Sequence, residues 1–377
     1  MTRILFVLDF FTPHVGGAET LFDNMTKKLA DKGIEIDIIT QKIKGSPDFE
    51  SDGNRRIHRV YSPFRHSFAL AAAGKCVELS KKSDIVHAAT LGGLGTVMTI
   101  EKFINKPVVA TFFEVWDRLF LRLQKPPMSL INYSLENLSL RHYRNHVSTA
   151  ISNATKQRLL DFGFDAKKTH VVYPGIDRKL FNPKTKAQIK KDYPLILFFG
   201  RPGVAKGINY LISAMKTVTN RIPEAKLMLL LSRNPASEYR KSMNLIKTLD
   251  LQDSIDVFDP KPLPELPGII KSADVCVVPS ISEGFGFSAA ESLSCGTPVV
   301  ASAAGSLPEI VKNGFNGLLS EPGSPDSISG NVIKILSDKK LRSRLAKNAP
   351  NSVKKFDWDK GTKEYIKIYE NVLHKQR

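Results

Sequence analysis

Cysteine is scarce in this chain: Cys76, Cys276 and Cys295 are its only three among 377 residues. They make neither a disulfide scaffold nor a metal-binding spacing, which points to a reducing compartment and to buried packing roles. Long apolar runs are missing too, none reaching the roughly 18 residues a membrane-spanning helix needs. The opening MTRILFVLDF resembles the apolar part of a signal peptide. It lacks a cleavage-like end and runs into a polar, glycine-bearing loop, so it reads as a first buried strand. The dinucleotide fingerprint GxGxxG is absent, and the loop after that strand offers Gly16-Gly17 instead. No tandem repeat of usable period occurs. These absences leave a protein expected in the cytoplasm, with a peripheral place on the inner membrane face as the further expectation.

Positive charge is what the chain has in excess. Its net charge is +18, with 29 Lys and Arg against 18 Asp and Glu in residues 1–190 (+11) and +7 in the rest. Such a field, spread over both halves, attracts anionic partners: nucleotides, nucleic acid or an anionic membrane. No nucleic-acid-reading module is recognisable, so nucleic acid is not expected as a partner. A length of 377 residues exceeds one usual core and suits two domains.

Strand, glycine loop, helix and strand follow one another from Ile4 to Thr40, with Leu21, Met25 and Leu29 at helical spacing. This is the opening of a doubly wound α/β domain, and the helix start after Gly16-Gly17 suits an anion. The polar segment 41–54 reads as a loop, 56–60 as a strand, 68–79 as a helix, and 84–87 as a strand ending in the small-residue loop 88–95. Pro107–Phe112 reads as a buried strand. It empties into FEVWDRLFLRLQKPP, where Trp116, Phe120 and Leu123 alternate with Arg118, Arg122 and Lys125. That pattern fits either an interfacial membrane helix or an ordinary helix whose long basic side chains cover apolar surface. The Lys-rich, proline-bounded run from Phe181 to Pro194 is the expected interdomain linker. The plan then repeats: a strand at 195–199, the loop GRPGVAKG, a helix at 208–218, and further strands at 227–231, 255–258 and 275–278.

The stretch PSISEGFGFSAAE, Pro279 to Glu291, follows the last of these strands. Loops at the carboxyl ends of parallel strands share one rim, so Arg201 and Lys206 from one loop and Glu283 and Glu291 from another can meet. Gly284 and Gly286 permit positive φ or close approach of a ligand to the backbone. Two cations beside a glycine-rich helix start suit a diphosphate leaving group, whose charge grows as its bond breaks. The glutamates can accept hydrogen bonds from sugar and ribose hydroxyls. The plain alternative is a tight turn with solvated charges.

With these residues in place, the chain resembles the retaining nucleotide-sugar glycosyltransferases of family 4 (glycosyl transferases group 1). Their GT-B architecture has two facing Rossmann-like domains with a deep interdomain cleft. The E-x7-E element matches Glu283 and Glu291, followed by ESLSCGTPVVAS and GSLPEIVKNGFNGLL, and the basic pair matches Arg201 and Lys206. PHVGGAE and VVYPGID also fit, and the resemblance spans essentially the whole chain. It implies an acceptor-binding domain over 1–183, completed by the helix 358–377, and a nucleotide-sugar-binding domain over 195–350. It implies that Arg201 and Lys206 hold the donor phosphates, that Glu283 binds the transferred sugar and Glu291 the ribose. Gly16 and Gly17 would approach the diphosphate, and the backbone of Gly284, Phe285, Gly286 and Phe287 would complete the cradle. It further implies a hexose-type sugar moved with retention, without metal or other cofactor, to a glycan, lipid-linked or small-molecule acceptor.

One position departs from the family pattern. Where many members place a histidine after the strand PVVAT, this chain has Phe113, a ring that packs but donates no hydrogen bond. Glu114 beside it is the nearest polar substitute. The departure keeps two alternatives in view: a weak or silent sugar-nucleotide or glycan-binding protein, and a sugar-nucleotide epimerase or hydrolase on the same scaffold.

Overall fold

A computed structural model describes residues 2–14 and 16–374. The chain divides into two units, residues 1–175 with 356–377 and residues 176–355.

The first unit contains β1 (Arg3–Val7), α1 (Gly17–Ala30), β2 (Glu35–Gln41), β3 (Phe49–Asp52), β4 (Arg55–Val60), α2 (Phe68–Ala71), α3 (Ala73–Ser80) and β5 (Ile85–Ala89). It continues with α4 (Thr90–Ile100), β6 (Val108–Phe112), α5 (Leu119–Leu123), α6 (Met128–Tyr143), β7 (Val147–Ala150), α7 (Asn153–Asp161) and β8 (Thr169–Val171). Its strands form one sheet in the order β3-β4-β2-β1-β5-β6-β7-β8, parallel except where β3 pairs antiparallel with β4. The central strands β1, β5 and β6 are buried almost throughout, as expected for a parallel sheet covered on both faces.

The second unit contains β9 (Leu195–Gly200), α8 (Ile208–Arg221), β10 (Lys226–Leu231), α9 (Ala236–Thr248), β11 (Ile255–Phe258), α10 (Leu266–Ser272) and β12 (Val275–Val278). Then come α11 (Phe287–Ser294), β13 (Val299–Ser302), α12 (Leu307–Ile310), β14 (Gly317–Ser320), α13 (Pro325–Ser337) and α14 (Lys339–Ser352). The sheet order is β11-β10-β9-β12-β13-β14, parallel throughout. Helix α8 shows why the sequence chooses a helix here. Leu211, Ile212, Met215 and Val218 fall on one stripe and are all buried, the 3.6-residue pattern of a helix laid on a sheet. Both units are thus Rossmann-like α/β layers.

The last helix, α15 (Trp358–His374), belongs to the first unit. Tyr365, Ile368, Tyr369 and Val372 make its buried face, and it packs beside α1. Gly175 lies so close that a Cβ there would stand 2.3 Å from the Trp358 nitrogen. Lys28 pairs with Asp359 at 2.6 Å.

Several expectations need correction. The segment 41–54 contains β3, whose four residues are all exposed, so it carries no alternating apolar signal. The small-residue stretch 88–95 begins α4 instead of a loop. Its glycines serve packing: a Cβ on Gly93 would lie 2.1 Å from the Val7 carbonyl oxygen. The helix expected over 68–79 is two helices joined at Ala72. The basic-aromatic stretch gives only the five-residue α5, with Trp116 packed on Phe120 at 5.0 Å. The run 181–194 is no linker but a strap on the second unit. Phe181 is buried and its carbonyl accepts from Ser294 Oγ at 2.6 Å. The Gln188 and Ile189 amides donate to Ser272 Oγ at 2.9 Å, and Lys191 pairs with Asp274. The chain passes between units at 175/176, ahead of the expected bounds 183/195, and again at 355/356, within the expected 350/358. Among the described residues no helix is long and apolar enough to cross a membrane.

His87 stands at the core of the first unit, with no exposed surface. Its Nδ1 pairs with the Tyr369 hydroxyl at 2.7 Å and its Nε2 with Thr111 Oγ1 at 2.6 Å. Phe6 stacks on the ring at 4.8 Å. Burial pushes the imidazole down to about 3, so it stays neutral at physiological pH. Because the unfolded chain takes up this proton first, stability contributed here is present above pH ~6.5 and is lost as pH falls toward the folded value. Urea unfolding should therefore show stability falling by up to about 1.4 kcal/mol per pH unit below pH ~6.5 from this residue. His87→Gln should flatten that part of the profile; an unchanged slope would refute the assignment.

Candidate functional site

In open parallel sheets, ligands bind beyond the carboxyl ends of strands where the strand order reverses. In the second unit that point lies between β9 and β12, which pair directly. Arg201 and Lys206 follow β9, and Glu283 follows β12.

The two loops are fixed to one another by backbone. Gly207 has φ +65, and a Cβ on it would stand 2.0 Å from the Pro279 carbonyl oxygen. Both facts require glycine. The Ile281 amide donates to the Ala205 carbonyl at 2.7 Å. The β12 loop is held from its other side by the turn after β13. Gly305 has φ +52, and its Cβ would lie 2.2 Å from the Glu283 carbonyl oxygen. The Ser306 amide and Oγ donate to that carbonyl at 2.9 and 3.1 Å, and Oγ also reaches the Phe285 carbonyl at 2.8 Å.

This clamp brings Lys206 and Glu283 together. Lys206 Nζ lies 2.8 and 3.1 Å from the two carboxylate oxygens, and Ser280 Oγ donates to the nearer one at 3.0 Å. The Glu283 side chain is 11% exposed and that of Lys206 39%. The ammonium is therefore the solvent-facing member, placed for an incoming anion. Arg201 stands exposed after β9 and makes no ion pair or hydrogen bond among the described residues. Gly284, Phe285 and Gly286 are buried, and Phe285 packs edge-on against half-buried Phe287 at 5.0 Å. Gly286, at φ +91, caps α11, whose first backbone N–H groups have no partner within the helix. Glu291 is the fifth residue of that helix. Its half-buried carboxyl makes no hydrogen bond among the described residues, and burial pushes it up to about 8. Burial likewise lifts the Cys276 and Cys295 thiols to about 12, which leaves them inert.

In the first unit the reversal lies between β1 and β5. Gly16 caps α1 with extended backbone, φ −176 and ψ 170, so this turn needs no left-handed residue. The first turn of α1 also carries buried Glu19, held by His14 Nδ1 at 2.8 Å, and part of the positive helix end is already answered. Phe113 is half-buried with its ring edge-on to Phe22 at 5.7 Å, and its carbonyl accepts from Thr155 Oγ1 at 3.0 Å. Half-buried Glu114 lies on the same loop. Its charge adds to the burial that holds nearby Glu136 up to about 7, while Glu136 accepts the Trp116 and Asp117 amides at 3.1 and 2.6 Å.

Sequence reasoning missed Asp9, which organises this rim. Its buried carboxylate accepts from Thr90 Oγ1 at 2.7 Å, the Gly93 amide at 2.9 Å and Arg65 Nε at 3.1 Å. Thr90 adopts φ +63 to make the turn. An acid closing a buried strand, with the glycine pair LGGLG after the neighbouring strand, was the available signal. Gly207, Gly305 and Ser306 were also missed, because a clamp between separate loops leaves no local pattern.

Comparison with known proteins agrees with this geometry. Residues 182–352 match the model for glycosyl transferases group 1 and residues 15–180 that for glycosyltransferase family 4. A D-inositol 3-phosphate glycosyltransferase from Xylanimonas cellulosilytica is 31% identical, covering 97% of this chain and 94% of its own. Sucrose-phosphate synthase from Thermosynechococcus elongatus superposes with a TM-score of 0.86 at 23% identity, covering 99% of this chain and 100% of its own. HepE from Anabaena, solved in complex with UDP and glucose, gives a TM-score of 0.79 at 19% identity, covering 98% and 100%. Two Rossmann-like parallel-sheet units, matched over both halves of the sequence, make this chain a member of glycosyltransferase family 4, with the GT-B architecture.

Proposed function

We propose that the chain transfers a hexose-type sugar from a nucleoside diphosphate sugar to an acceptor hydroxyl with retention of configuration. The observation that carries this reading is the Lys206–Glu283 pair beside unpaired Arg201 at the β9/β12 reversal, with unpartnered Glu291 one helix turn away. HepE, a structural neighbour, is seen with UDP and glucose, which supports a nucleotide-sugar donor.

In this reading Arg201 and Lys206 stabilise the charge that grows on the β-phosphate as the glycosidic bond breaks. A donor phosphate displaces Glu283 as the neighbour of Lys206, and the freed carboxylate accepts hydrogen bonds from sugar hydroxyls. The acceptor attacks from the face the phosphate leaves, and a phosphate oxygen takes its proton. The start of α11 gives backbone N–H groups to the donor, and Glu291 accepts from the ribose hydroxyls. In the first unit, the start of α1 at Gly17 offers backbone N–H groups to an anionic substrate group. The step needs no metal, since both cations are side chains. Phe113 supplies packing only, and Glu114 is the polar group left on its loop.

The acceptor class follows from charge and exposed apolar surface. Leu121, Met128, Leu130 and Leu138 on α5 and α6 are 42%, 44%, 53% and 52% exposed. Arg118, Arg122, Lys125 and Arg141 are exposed in the same segment. We assign this surface to contact with an anionic membrane carrying a lipid-linked acceptor.

Three measurements test these statements. Nucleotide release should be seen with at least one of a panel of UDP-, GDP- and ADP-sugars and candidate acceptors. Lys206→Ala and Glu283→Gln should each lower kcat by about 10²–10³; absence of binding and turnover across the panel would overturn the reading. Because Glu291 must lose its proton to accept fully from ribose, nucleoside diphosphate affinity should rise with pH, by up to about tenfold per unit, and level off above pH ~8. Glu291→Gln should make that profile flat, and a flat wild-type profile would remove Glu291 from the ribose site. Sedimentation with anionic vesicles at low salt should exceed that with neutral vesicles; equal failure with both would exclude the membrane contact.

A further inference from the structure

We propose that Glu101, His142 and His146 form a structural site for a divalent cation of the zinc class, separate from the donor chemistry. Glu101 opens the short 3-10 turn that follows α4, His142 lies in the last turn of α6, and His146 immediately precedes β7. His142 Nε2 lies 2.5 Å from one Glu101 oxygen and His146 Nε2 lies 2.6 Å from the other. One ligand atom from each of the three residues can be chosen so that all lie within 4.8 Å of one another. A tetrahedral ion with bonds of about 2.1 Å needs separations of roughly 3.4 Å, which asks for side-chain shifts of about an ångström.

The surroundings orient the three groups. The two imidazoles stack at 5.3 Å with 24° between planes. Both pack edge-on against buried Tyr143, at 4.8 and 5.1 Å. Tyr143 is itself anchored by its hydroxyl, which donates to the Leu94 carbonyl at 2.8 Å. Each ring therefore turns the same nitrogen toward a single carboxylate. The side chains are 28%, 22% and 27% exposed for His142, His146 and Glu101, so an ion and a completing water can enter. Two imidazoles and one carboxylate without a thiolate suit zinc, cobalt or nickel. They do not suit calcium or magnesium, which take oxygen ligands. His146 Nδ1 is enclosed and has no hydrogen-bond partner among the described residues. With Nε2 on an ion the ring proton would sit on Nδ1 with no outer-shell acceptor among the described residues, which weakens binding by about 10–100-fold.

Topology sets the role. Glu101 and His146 precede β6 and β7, neighbouring parallel strands, and so lie at the amino end of the sheet. The loops after β1 and β6 are at the opposite end, roughly 15 Å away across a five-residue strand. The ion would clip the end of α4 to the end of α6 without touching substrate.

The test uses the full chain after chelator treatment, titrated with Zn²⁺ by calorimetry and with Co²⁺ by visible absorption. One equivalent should bind, with Tm raised by about 5 °C or more at a hundredfold excess over Kd. The cobalt spectrum should lack a thiolate charge-transfer band. His142→Asn, His146→Asn and Glu101→Gln should each weaken binding by at least about tenfold and leave nucleoside diphosphate affinity unchanged. That unchanged affinity separates this site from the donor site. Should a histidine variant fail to fold, zinc protection of His142 and His146 from carbethoxylation, mapped by mass spectrometry in the wild type, decides the matter. No saturable binding, binding unaltered by all three substitutions, a thiolate band, or no protection would each overturn the proposal.

Discussion

The close approach of Gly207 to the Pro279 carbonyl is the contact on which the second unit's site rests. At 2.0 Å from a would-be Cβ and with φ +65, it leaves room for no side chain. Through it the loop after β9 lies against the loop after β12, and a lysine and a glutamate 77 residues apart in sequence meet at 2.8 Å. The Gly305 contact repeats the device one strand further along. Two backbone contacts therefore hold three loops in register, and Lys206 and Glu283 take their positions from them. A backbone fixed in this way spares the loops themselves any reorganisation when charge appears beside them.

Charge behaves differently at the site than over the whole chain. The net +18 draws anions from a distance, but the first contact on the second unit is more measured. Glu283 neutralises Lys206, and burial leaves the Glu291 carboxyl largely protonated at neutral pH. The two carboxylates therefore present little uncompensated negative charge. Of the two cations in these loops, Arg201 stands uncompensated among the described residues.

Much of this was legible in the sequence because it depends on local pattern. The alternation of apolar runs with amphipathic stripes, as in Leu211, Ile212, Met215 and Val218, gives the α/β plan. The spacing of Glu283 and Glu291 places one acid before a helix and the other within it, where both are found. What stayed hidden depends on packing between distant segments. Phe181 looks like linker until its burial against the second unit is seen. Strand β3 carries no buried face and so no period. The LGGLG stretch reads as loop because glycine is a poor helix former, yet close contact with Val7 and Asp9 requires it. Asp9 gains meaning only from its partners Thr90, Gly93 and Arg65, all more than 50 residues away.

Phe113 shows how a departure from a family pattern can be absorbed. Its ring extends an aromatic chain in which Phe22 contacts Phe6 and His87, and His87 in turn meets Tyr365 and Tyr369 of α15. The half-buried side chain is thereby packed against the aromatic residues of the first unit. Its backbone carbonyl is held separately by Thr155, so the course of the loop does not depend on what the side chain does. A position whose backbone is fixed independently can exchange a polar ring for an apolar one while its neighbours keep their places. The exchange leaves half-buried Glu114 on the same loop and does not touch Arg201 or Lys206 on the second unit.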